Sequence, residues 1–370
     1  MKRDLPWRRT RDPYGVWIAE VMLQQTQVAT VIPYYQRFLG TLPTVRQLAE
    51  APLDDVLRLW AGLGYYSRAR NLHAAAKAIV GRHGGRFPRS FDEVLALPGI
   101  GRYTASAILS IALGQRHAAI DTNAARVLAR VFLVRGDARS GRARQRIERL
   151  GAEAVPAERP GDHNQALMEL GSVMCLPRDP RCGECPLVEV CEVRRRGLQA
   201  KVPAPRERIV TRAERAVVGI VRRNGKVLIA QRPTDAVWGG LWVFPGTDLM
   251  DGTEARRALT DRLREAFGLK VVVGGAAANV TYGIMNRRVQ LSVHACAVQS
   301  GRTRARARSA TRWVRPAELG GFAMPAPHRR VARIVQTGGA ECEAPGPGPD
   351  GPAGHSAPPL GEEAKEARSA

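Results

Sequence analysis

Apolar residues recur at helical spacing through the first half of the chain. The stretch 16–28 is apolar nearly all round, which predicts a mostly buried helix with Asp12 as its N-cap and Pro13 in its first turn. The same periodicity predicts further helices at 33–39, 45–49, 53–60, 91–97, 105–112, 125–131, 142–150 and 163–174. Few strand signals interrupt this series, so the first half is predicted to be all-α.

Beyond residue 215 the pattern changes to strands. The dipeptide Asn224-Gly225, a strong hairpin signal, separates strands predicted at 216–221 and 226–230. Further strands are predicted at 240–246, 270–273, 277–282, 289–298 and 311–314, with helices at 253–267 and 327–336. These changes predict a helical region over 1–198, a Pro- and Arg-rich linker over 199–215, an α+β domain over 216–336 and a disordered tail over 337–370.

The composition suits a globular chain long enough for two cores. It has 370 residues, 44% of them hydrophobic, and contains no apolar run long enough to cross a membrane and no apolar core for a signal peptide. We therefore expect no membrane partner and a cytoplasmic location, nucleoid-associated if the source is bacterial. Lys and Arg exceed Asp and Glu by 57 − 34 = 23, which favours a polyanionic partner such as DNA or RNA. A generally arginine-rich composition is the alternative explanation.

Two glycine-rich turns lead into predicted helices. In 97–105, Gly99 and Gly101 allow positive φ and leave the backbone N–H groups before Arg102 open to an anion. The alternative is a plain helix connection with no ligand. In 62–70, two tyrosines stand beside two arginines, a combination that can stack on bases and hold phosphates. Tyr65 and Tyr66 could equally be ordinary half-buried tyrosines.

Two carboxylates are candidates for chemistry. Glu20 lies among apolar neighbours, where burial raises the pKa of a carboxyl group and lets it donate a proton near neutral pH. Alternatively, Glu20, Gln24 and Gln27 form a solvated stripe on the helix. Asp121 precedes a helical pattern and is either only an N-cap or a carboxylate held near a reacting cation.

Four of the six cysteines fall in one short segment with the spacing C-x6-C-x2-C-x5-C. Clustering of this kind indicates a metal site in a reducing compartment rather than a disulfide framework. Only one pair is close, so ligation of an iron–sulfur cluster by four thiolates fits better than structural zinc, which stays open. The ligands would be Cys175, Cys182, Cys185 and Cys191.

The stretches 17–28, 62–69 and 97–105, together with the cysteine loop, resemble the adenine DNA glycosylases of the MutY family, within the helix-hairpin-helix glycosylase superfamily. The resemblance implies a multidomain fold: an all-α helix-hairpin-helix glycosylase region, made of a six-helix barrel and a 4Fe–4S cluster domain, followed by an α+β Nudix-like domain that recognises the oxidised base. It also implies removal of adenine mispaired with 8-oxoguanine from duplex DNA by a monomeric enzyme.

The resemblance assigns roles to individual residues. Glu20 matches the glutamate that protonates adenine, Asp121 the aspartate that stabilises the oxocarbenium ion, and Tyr103 and Asn123 active-site partners. The remaining matches are pocket residues (Trp7, Arg8, Leu23 and the adenine contact Gln165), residues that enter the DNA stack (Gln25 and Tyr65) and the DNA-binding hairpin (Gly99, Gly101 and Arg102). The chemistry agrees, because adenine leaves readily only when protonated and must be flipped out of the duplex to be reached.

Several positions distinguish this chain from its relatives. Tyr103 stands where the endonuclease III branch has a lysine that forms a Schiff base, so hydrolysis without lyase activity is expected. The chain begins at what looks like the end of the family's first helix, and Thr122 replaces a usual glycine. The lesion-recognition loop has Met285 and Asn286 in place of Ser or Thr followed by His, which weakens the expected preference for 8-oxoguanine.

Particular residues disfavour each of three alternative functions. An endonuclease III-like glycosylase acting on oxidised pyrimidines is disfavoured by Tyr103. A non-enzymatic iron–sulfur DNA-binding protein is disfavoured by the presence of both Glu20 and Asp121. A Nudix pyrophosphatase needs a pair of glutamates to hold Mg²⁺, and the segment 264–268 lacks that pair.

Overall fold

The computed structural model describes residues 3–205, 210–303 and 310–338. Its first part is helical, as predicted. The helices are α1 (Pro13–Leu23), α2 (Val28–Thr41), α3 (Val45–Glu50), α4 (Leu53–Trp60), α5 (Ser67–His83), α6 (Phe91–Leu95), α7 (Arg102–Leu113), α8 (Thr122–Val131), α9 (Gly141–Ala154), α10 (Pro160–Val173) and α11 (Glu192–Arg195).

Helix α1 begins as predicted and ends early. The Asp12 carboxylate accepts hydrogen bonds from the backbone N–H groups of Tyr14 and Gly15, and Pro13 occupies the first turn, where its missing N–H costs nothing. The helix stops at Leu23 because Gln24 leaves helical geometry and Gln25 takes a φ of 55°. The prediction of a helix to residue 28 is therefore wrong, and so is the solvated stripe through Gln24 and Gln27.

The helical part contains two apolar cores. One is built by α1, α2, α4, α5 and α7 around Trp17, Phe38 and Trp60, all fully buried. The other lies under α8, α9 and α11 and includes Leu128 and Ile147. Helix α1 packs on α7, and α10 packs on both α7 and α8. Because α10 touches both parts, residues from each core can line a common cleft.

The second part is a mixed sheet with helices. Its elements are β1 (Arg212–Arg223), β2 (Lys226–Gln231), β3 (Trp242–Val243), β4 (Gly246–Leu249), α12 (Ala255–Phe267), β5 (Leu269–Ile284), β6 (Arg287–Gly301), β7 (Thr311–Val314) and α13 (Ala326–Gln336). The strand order is β3-β2-β1-β6-β5, with β4 paired to β1 and β7 to β2; β1 and β6 run parallel, and the other pairs are antiparallel.

The predicted hairpin at Asn224-Gly225 is confirmed. Both residues have positive φ, and Arg223 pairs with Lys226 across the turn. Two strand predictions are wrong in detail. The pieces at 270–273 and 277–282 form one bulged strand, β5, because its irregularities near Val273 and Ala276 break the hydrophobic alternation. The run at 240–246 is divided between two strands: Trp242 and Val243 form β3 and Gly246 begins β4, while Leu241 is buried against the helical part.

The segments between and after the domains are described only in part. The predicted linker 199–215 includes residues 206–209, outside the described residues, and Val202 within it packs in the second helical core. The predicted tail 337–370 lies outside the described residues from 339 onward, and its disorder stays a prediction. Among the described helices, none is long and apolar enough to cross a membrane.

Candidate functional site

A cleft of about 600 Å³ lies where α1, α7, α8 and α10 meet. Polar and apolar side chains from distant parts of the chain share its wall. The structure brings nine of the predicted site residues to this cleft: Trp7, Arg8, Glu20, Leu23, Gln25, Tyr103, Asp121, Asn123 and Gln165.

Glu20 sits in the middle of α1 with only 6% of its surface exposed. The Tyr103 hydroxyl donates a hydrogen bond of 2.7 Å to Glu20 Oε2. Burial raises the pKa of Glu20 to about 7, and the nearby Asp121 adds to this rise, while the Tyr103 hydrogen bond and Arg8 oppose it. Glu20 can therefore hold a proton near neutral pH while facing the cleft.

Tyr103 lies in the first turn of α7, directly after the glycine-rich loop. Burial raises its pKa well above the usual value, and the negative charges of Glu20 and Asp121 raise it further. The phenol therefore stays protonated and acts as a hydrogen-bond donor. Its oxygen also lies 3.6 Å from Met168 Sδ on α10, so Tyr103 connects three of the helices around the cleft.

Asp121 is both an N-cap and a cleft residue, so the two interpretations of its position are compatible. Its Oδ1 accepts the backbone N–H of Ala124 at 2.6 Å, and its Oδ2 accepts the side-chain amide of Asn123 at 3.1 Å. Burial raises the pKa of Asp121 above its ordinary value, and these hydrogen bonds and Arg126 only partly oppose the rise. Asn123 accepts in turn from Arg126 Nη2 at 3.0 Å, which fixes the direction of its amide.

Sequence reasoning missed the carboxylate that binds the N-terminal segment of the chain to the side of the cleft. Glu169 on α10 is buried and accepts hydrogen bonds from Arg3 Nε at 2.7 Å and from Arg8 Nη2 at 2.6 Å. Burial acts to raise its pKa, but these two arginines outweigh burial and lower the pKa to about 2. The available signal was the spacing of Gln165 and Glu169, one helical turn apart on α10.

At the rim of the cleft, Gln25 takes a φ of 55°, and in the loop before α5 Tyr65 takes a φ of 46°, a region that non-glycine residues rarely adopt. Tyr65 is 50% exposed. Arg68, one of the two arginines predicted to hold phosphates, joins the two segments instead: its Nη1 donates to Met22 O at 2.9 Å and its Nη2 to Gly64 O at 3.2 Å. Its place after a glycine turn had indicated a phosphate ligand, yet its guanidinium is buried.

The loop between α6 and α7 forms the predicted hairpin between helices. Gly99 has a φ of 75°, and a Cβ there would lie 2.6 Å from Asn71 Cβ, so only glycine fits. Gly101 does not use the positive φ that glycine allows: its φ is −97°, and it serves as the N-cap of α7, with open space where a Cβ would be. The next residue, Arg102, is exposed.

The four cysteines line one cavity next to the second helical core. Arg130 donates to Cys175 Sγ at 3.4 Å, and burial raises the pKa of Cys185, with the other three thiols adding to the rise. In the described part of the chain, no three His, Cys, Asp or Glu side chains are placed to hold a single metal ion. The four thiols nevertheless share one cavity, and four thiolates are the ligands of an iron–sulfur cluster.

Met285 and Asn286 lie apart from the cleft lining, in the tight turn between β5 and β6. Met285 has a φ of 51° and is 69% exposed, and the Asn286 carbonyl accepts the backbone N–H of Arg212 at 2.9 Å. The turn therefore presents the Met285 side chain to solvent.

Comparison with known proteins matches each of the two parts of the chain to a protein family. Residues 18–153 match the HhH-GPD superfamily of base excision DNA repair proteins, and residues 216–333 match the NUDIX domain. The chain is 37% identical to human adenine DNA glycosylase over 322 residues, covering 72% of this chain and 59% of the human protein, so it spans somewhat more than half the length of that relative.

Bacterial and structural relatives extend the comparison. A solved thermostable thymine-DNA glycosylase is 30% identical and covers 52% of this chain and 89% of its own, with a TM-score of 0.48. Identity to the adenine DNA glycosylase of Buchnera aphidicola from Schizaphis graminum is 33% over 247 residues, covering 67% of this chain and 71% of the relative. With that coverage, with both domains matched and with the cleft assembled as described, the chain belongs to the adenine DNA glycosylase family.

Proposed function

We propose that the chain is an adenine DNA glycosylase that hydrolyses the N-glycosidic bond of adenine opposite 8-oxoguanine or guanine in duplex DNA, working as a monomer. The observation that carries this proposal is the pair of carboxylates in one cleft. Burial raises the pKa of Glu20 to about 7; it also raises the pKa of Asp121, but there the hydrogen bonds from Ala124 and Asn123 and the charge of Arg126 oppose the rise and favour the ionised form. Pairs of acids with such different surroundings divide the roles of acid and stabilising anion.

The proposed reaction uses both groups in sequence. Glu20 donates its proton to a ring nitrogen of the flipped adenine, and the bond between C1′ and N9 breaks with its electron pair going to the base. Asp121 stabilises the oxocarbenium ion left on the sugar. The oxygen of a water molecule then bonds to C1′, and its proton passes to the Glu20 carboxylate, which restores the acid. Tyr103 and Asn123 hold the two carboxylates in place through the hydrogen bonds described above.

DNA binding is assigned to the rim and to the hairpin. We propose that Gln25 and Tyr65 enter the base stack while adenine is extruded toward Gln165, Trp7 and Leu23, since a base must leave the stack to be reached. Gly99, Gly101 and Arg102 would contact a phosphate, because the open backbone at Gly101 begins helix α7 and its positive dipole end. The net charge of +23 favours the same partner.

The cysteine loop is proposed to hold a 4Fe–4S cluster. Cys175, Cys182, Cys185 and Cys191 surround one cavity, and four thiolates are the donor set that such clusters take. When bound, the cluster would cross-link the loop and supply electron-transfer capacity. Arg130, buried beside Cys175, donates to carbonyl groups of the loop and so ties it to α8. Measuring the iron, sulfide and zinc content of the purified protein decides between an iron–sulfur cluster and a structural zinc ion.

The Nudix-like domain is proposed to recognise the oxidised base through the turn that carries Met285 and Asn286. The exposed Met285 side chain is apolar and offers no strong hydrogen-bond donor to 8-oxoguanine. We therefore expect weaker discrimination between 8-oxoguanine and guanine than a Ser-His or Thr-His turn would give.

The test compares base release from two duplexes, one with adenine opposite 8-oxoguanine and one with adenine opposite guanine, with alkali added afterwards to reveal abasic sites. Cleavage that needs alkali, together with no borohydride-trapped complex, supports a monofunctional glycosylase. Glu20→Gln and Asp121→Asn should each lose base release and keep DNA binding. Wild-type release of oxidised pyrimidines instead of adenine would overturn the proposal in favour of an endonuclease III-like activity.

A further inference from the structure

The loop between α4 and α5, residues 61–66 (the Tyr65 loop), is bonded to the Nudix-like domain. Arg329 on α13 donates from Nη1 to the Ala61 carbonyl at 3.2 Å, at the start of the loop. The Tyr66 hydroxyl, at the end of the loop, donates to the Met324 carbonyl at 3.4 Å. Both ends of the loop are therefore held from the other domain, by contacts that the proposed chemistry does not use.

The interface around this loop is packed rather than loose. Leu241 of the Nudix-like domain is fully buried in the first helical core. Arg70 Nη1 on α5 donates to the Gly239 carbonyl at 2.7 Å, and Gln231 Nε2 donates to Asp54 Oδ1 at 3.2 Å. Contacts on both sides of the Tyr65 loop thus set the position of the Nudix-like domain relative to α4 and α5.

The loop needs this support because its geometry is costly. Tyr65 adopts a left-handed φ, which persists in a non-glycine residue only where the surroundings impose it. Gly62 has a φ of 121°, and a Cβ there would lie 2.0 Å from Tyr34 Oη on α2 and 3.3 Å from Arg329 Nη2 on α13. The loop therefore packs closely between α2 and α13, and the half-exposed Tyr65 ring faces solvent.

We propose that the Nudix-like domain positions Tyr65: Arg329 and the Met324 carbonyl hold the Tyr65 loop in the strained conformation that presents the Tyr65 ring to the DNA stack. The inference rests on the proposed function, in which Tyr65 enters the stack while adenine is extruded. Arg329 acts through the loop and is a positioning residue. The domain assigned to lesion recognition therefore also sets the wedge that opens the duplex.

The test removes the contact between Arg329 and the Tyr65 loop and measures base release from two duplexes that differ in how easily the adenine is flipped out. Arg329→Met keeps the aliphatic stem, and Arg333→Met, at an exposed position on the same helix, is the matched control. Single-turnover base release is measured with adenine opposite guanine and with adenine opposite an abasic site, where extrusion needs less unpairing. We expect Arg329→Met to slow release about tenfold in the first duplex and less than about threefold in the second, with Arg333→Met unchanged.

Three further variants test whether the effect of Arg329 comes from positioning Tyr65. Tyr65→Ala should show the same dependence on the duplex, and adding Arg329→Met to it should cause no further slowing, since the two changes remove one function. Arg329→Lys keeps a cationic donor and should recover part of the rate; it also serves as the test variant if Arg329→Met does not fold. Equal slowing on both duplexes, additive effects or no slowing would overturn the inference.

A fluorescence measurement separates this inference from the proposed function. A 2-aminopurine placed beside the mispair reports unstacking on binding and needs no chemistry. If the wild-type protein releases no base from any duplex, the proposed function fails, but the fluorescence change still reports insertion of Tyr65. Arg329→Met should then lose the signal that Tyr65→Ala loses. A signal that Arg329→Met leaves intact while Tyr65→Ala loses it would overturn the positioning role.

Discussion

At the scale of single residues, the protonation of Glu20 governs the predicted activity. Its pKa of about 7 lies well above the ordinary value because the side chain is buried. Only the protonated acid can donate to adenine, so the contribution of Glu20 is present below its pKa and is lost as the pH rises through it. We expect single-turnover base release to fall above about pH 7, and Glu20→Gln to be slowed at least about a hundredfold with no such fall.

Tyr103 gives a second prediction at this scale. Its hydrogen bond to Glu20 Oε2 lowers the pKa of Glu20, so Tyr103→Phe should raise that pKa. The fall of the rate at high pH should then move to higher pH, whatever happens to the maximal rate. The measurement is the pH profile of single-turnover release, with Tyr14→Phe as a control, because Tyr14 is a buried tyrosine of α1 that bonds the Leu42 carbonyl instead. A shift to lower pH would contradict the assigned role of Tyr103.

At the scale of elements, the contact between α8 and α10 holds the polar half of the cleft together. Gly171 of α10 lies against Asn123, and a Cβ at Gly171 would come within 2.8 Å of Asn123 Cβ and 2.9 Å of its carbonyl oxygen. Gly171→Ala should therefore push α10 away from α8 and destabilise the protein by about 1–3 kcal/mol. It should also slow base release, because Asn123 orients Asp121.

Gly40→Ala is the matched control for this substitution. Gly40 lies in α2, is exposed and has nothing within 4 Å of a built Cβ. Alanine is the better helix former, so this change should raise the free energy of unfolding by about 0.5–1 kcal/mol and leave base release unchanged. Denaturant unfolding of both variants checks the signs. Similar effects of the two changes would mean that packing against Asn123 does not matter.

At the scale of the whole molecule, the charge of +23 predicts a strong dependence of DNA binding on salt. If about six phosphates are contacted, affinity should fall about a thousandfold between about 50 and 200 mM salt. Arg102→Ala should reduce the slope of log affinity against log salt by about 1. Arg264→Ala is the control, since this arginine already pairs with Asp261 at 2.8 Å. A weak salt dependence would indicate that the arginines reflect composition alone.

The sequence predicted the fold class and most of the site, for different reasons. Caps and turns are local signals, so Asp12, Asn224-Gly225 and the helical periodicity located most elements without knowledge of the rest of the chain. The site was harder to predict from the sequence. The residues alone were compatible with purely structural roles for Glu20 and Asp121, and only the family resemblance favoured catalytic roles for them. Their roles stay predictions, which the cleft geometry supports.

The sequence by itself therefore determined where most helices, strands and turns lie, because those choices depend on neighbours a few residues away. Only the tertiary structure decided which polar groups meet. Glu20 and Tyr103 are 83 residues apart in the chain, Arg8 and Glu169 are 161 apart, and Arg329 and Ala61 are 268 apart. The pKa of Glu20 and the support of the Tyr65 loop arise from burial and from contacts of this kind, which exist only once the helices and the second domain are packed together.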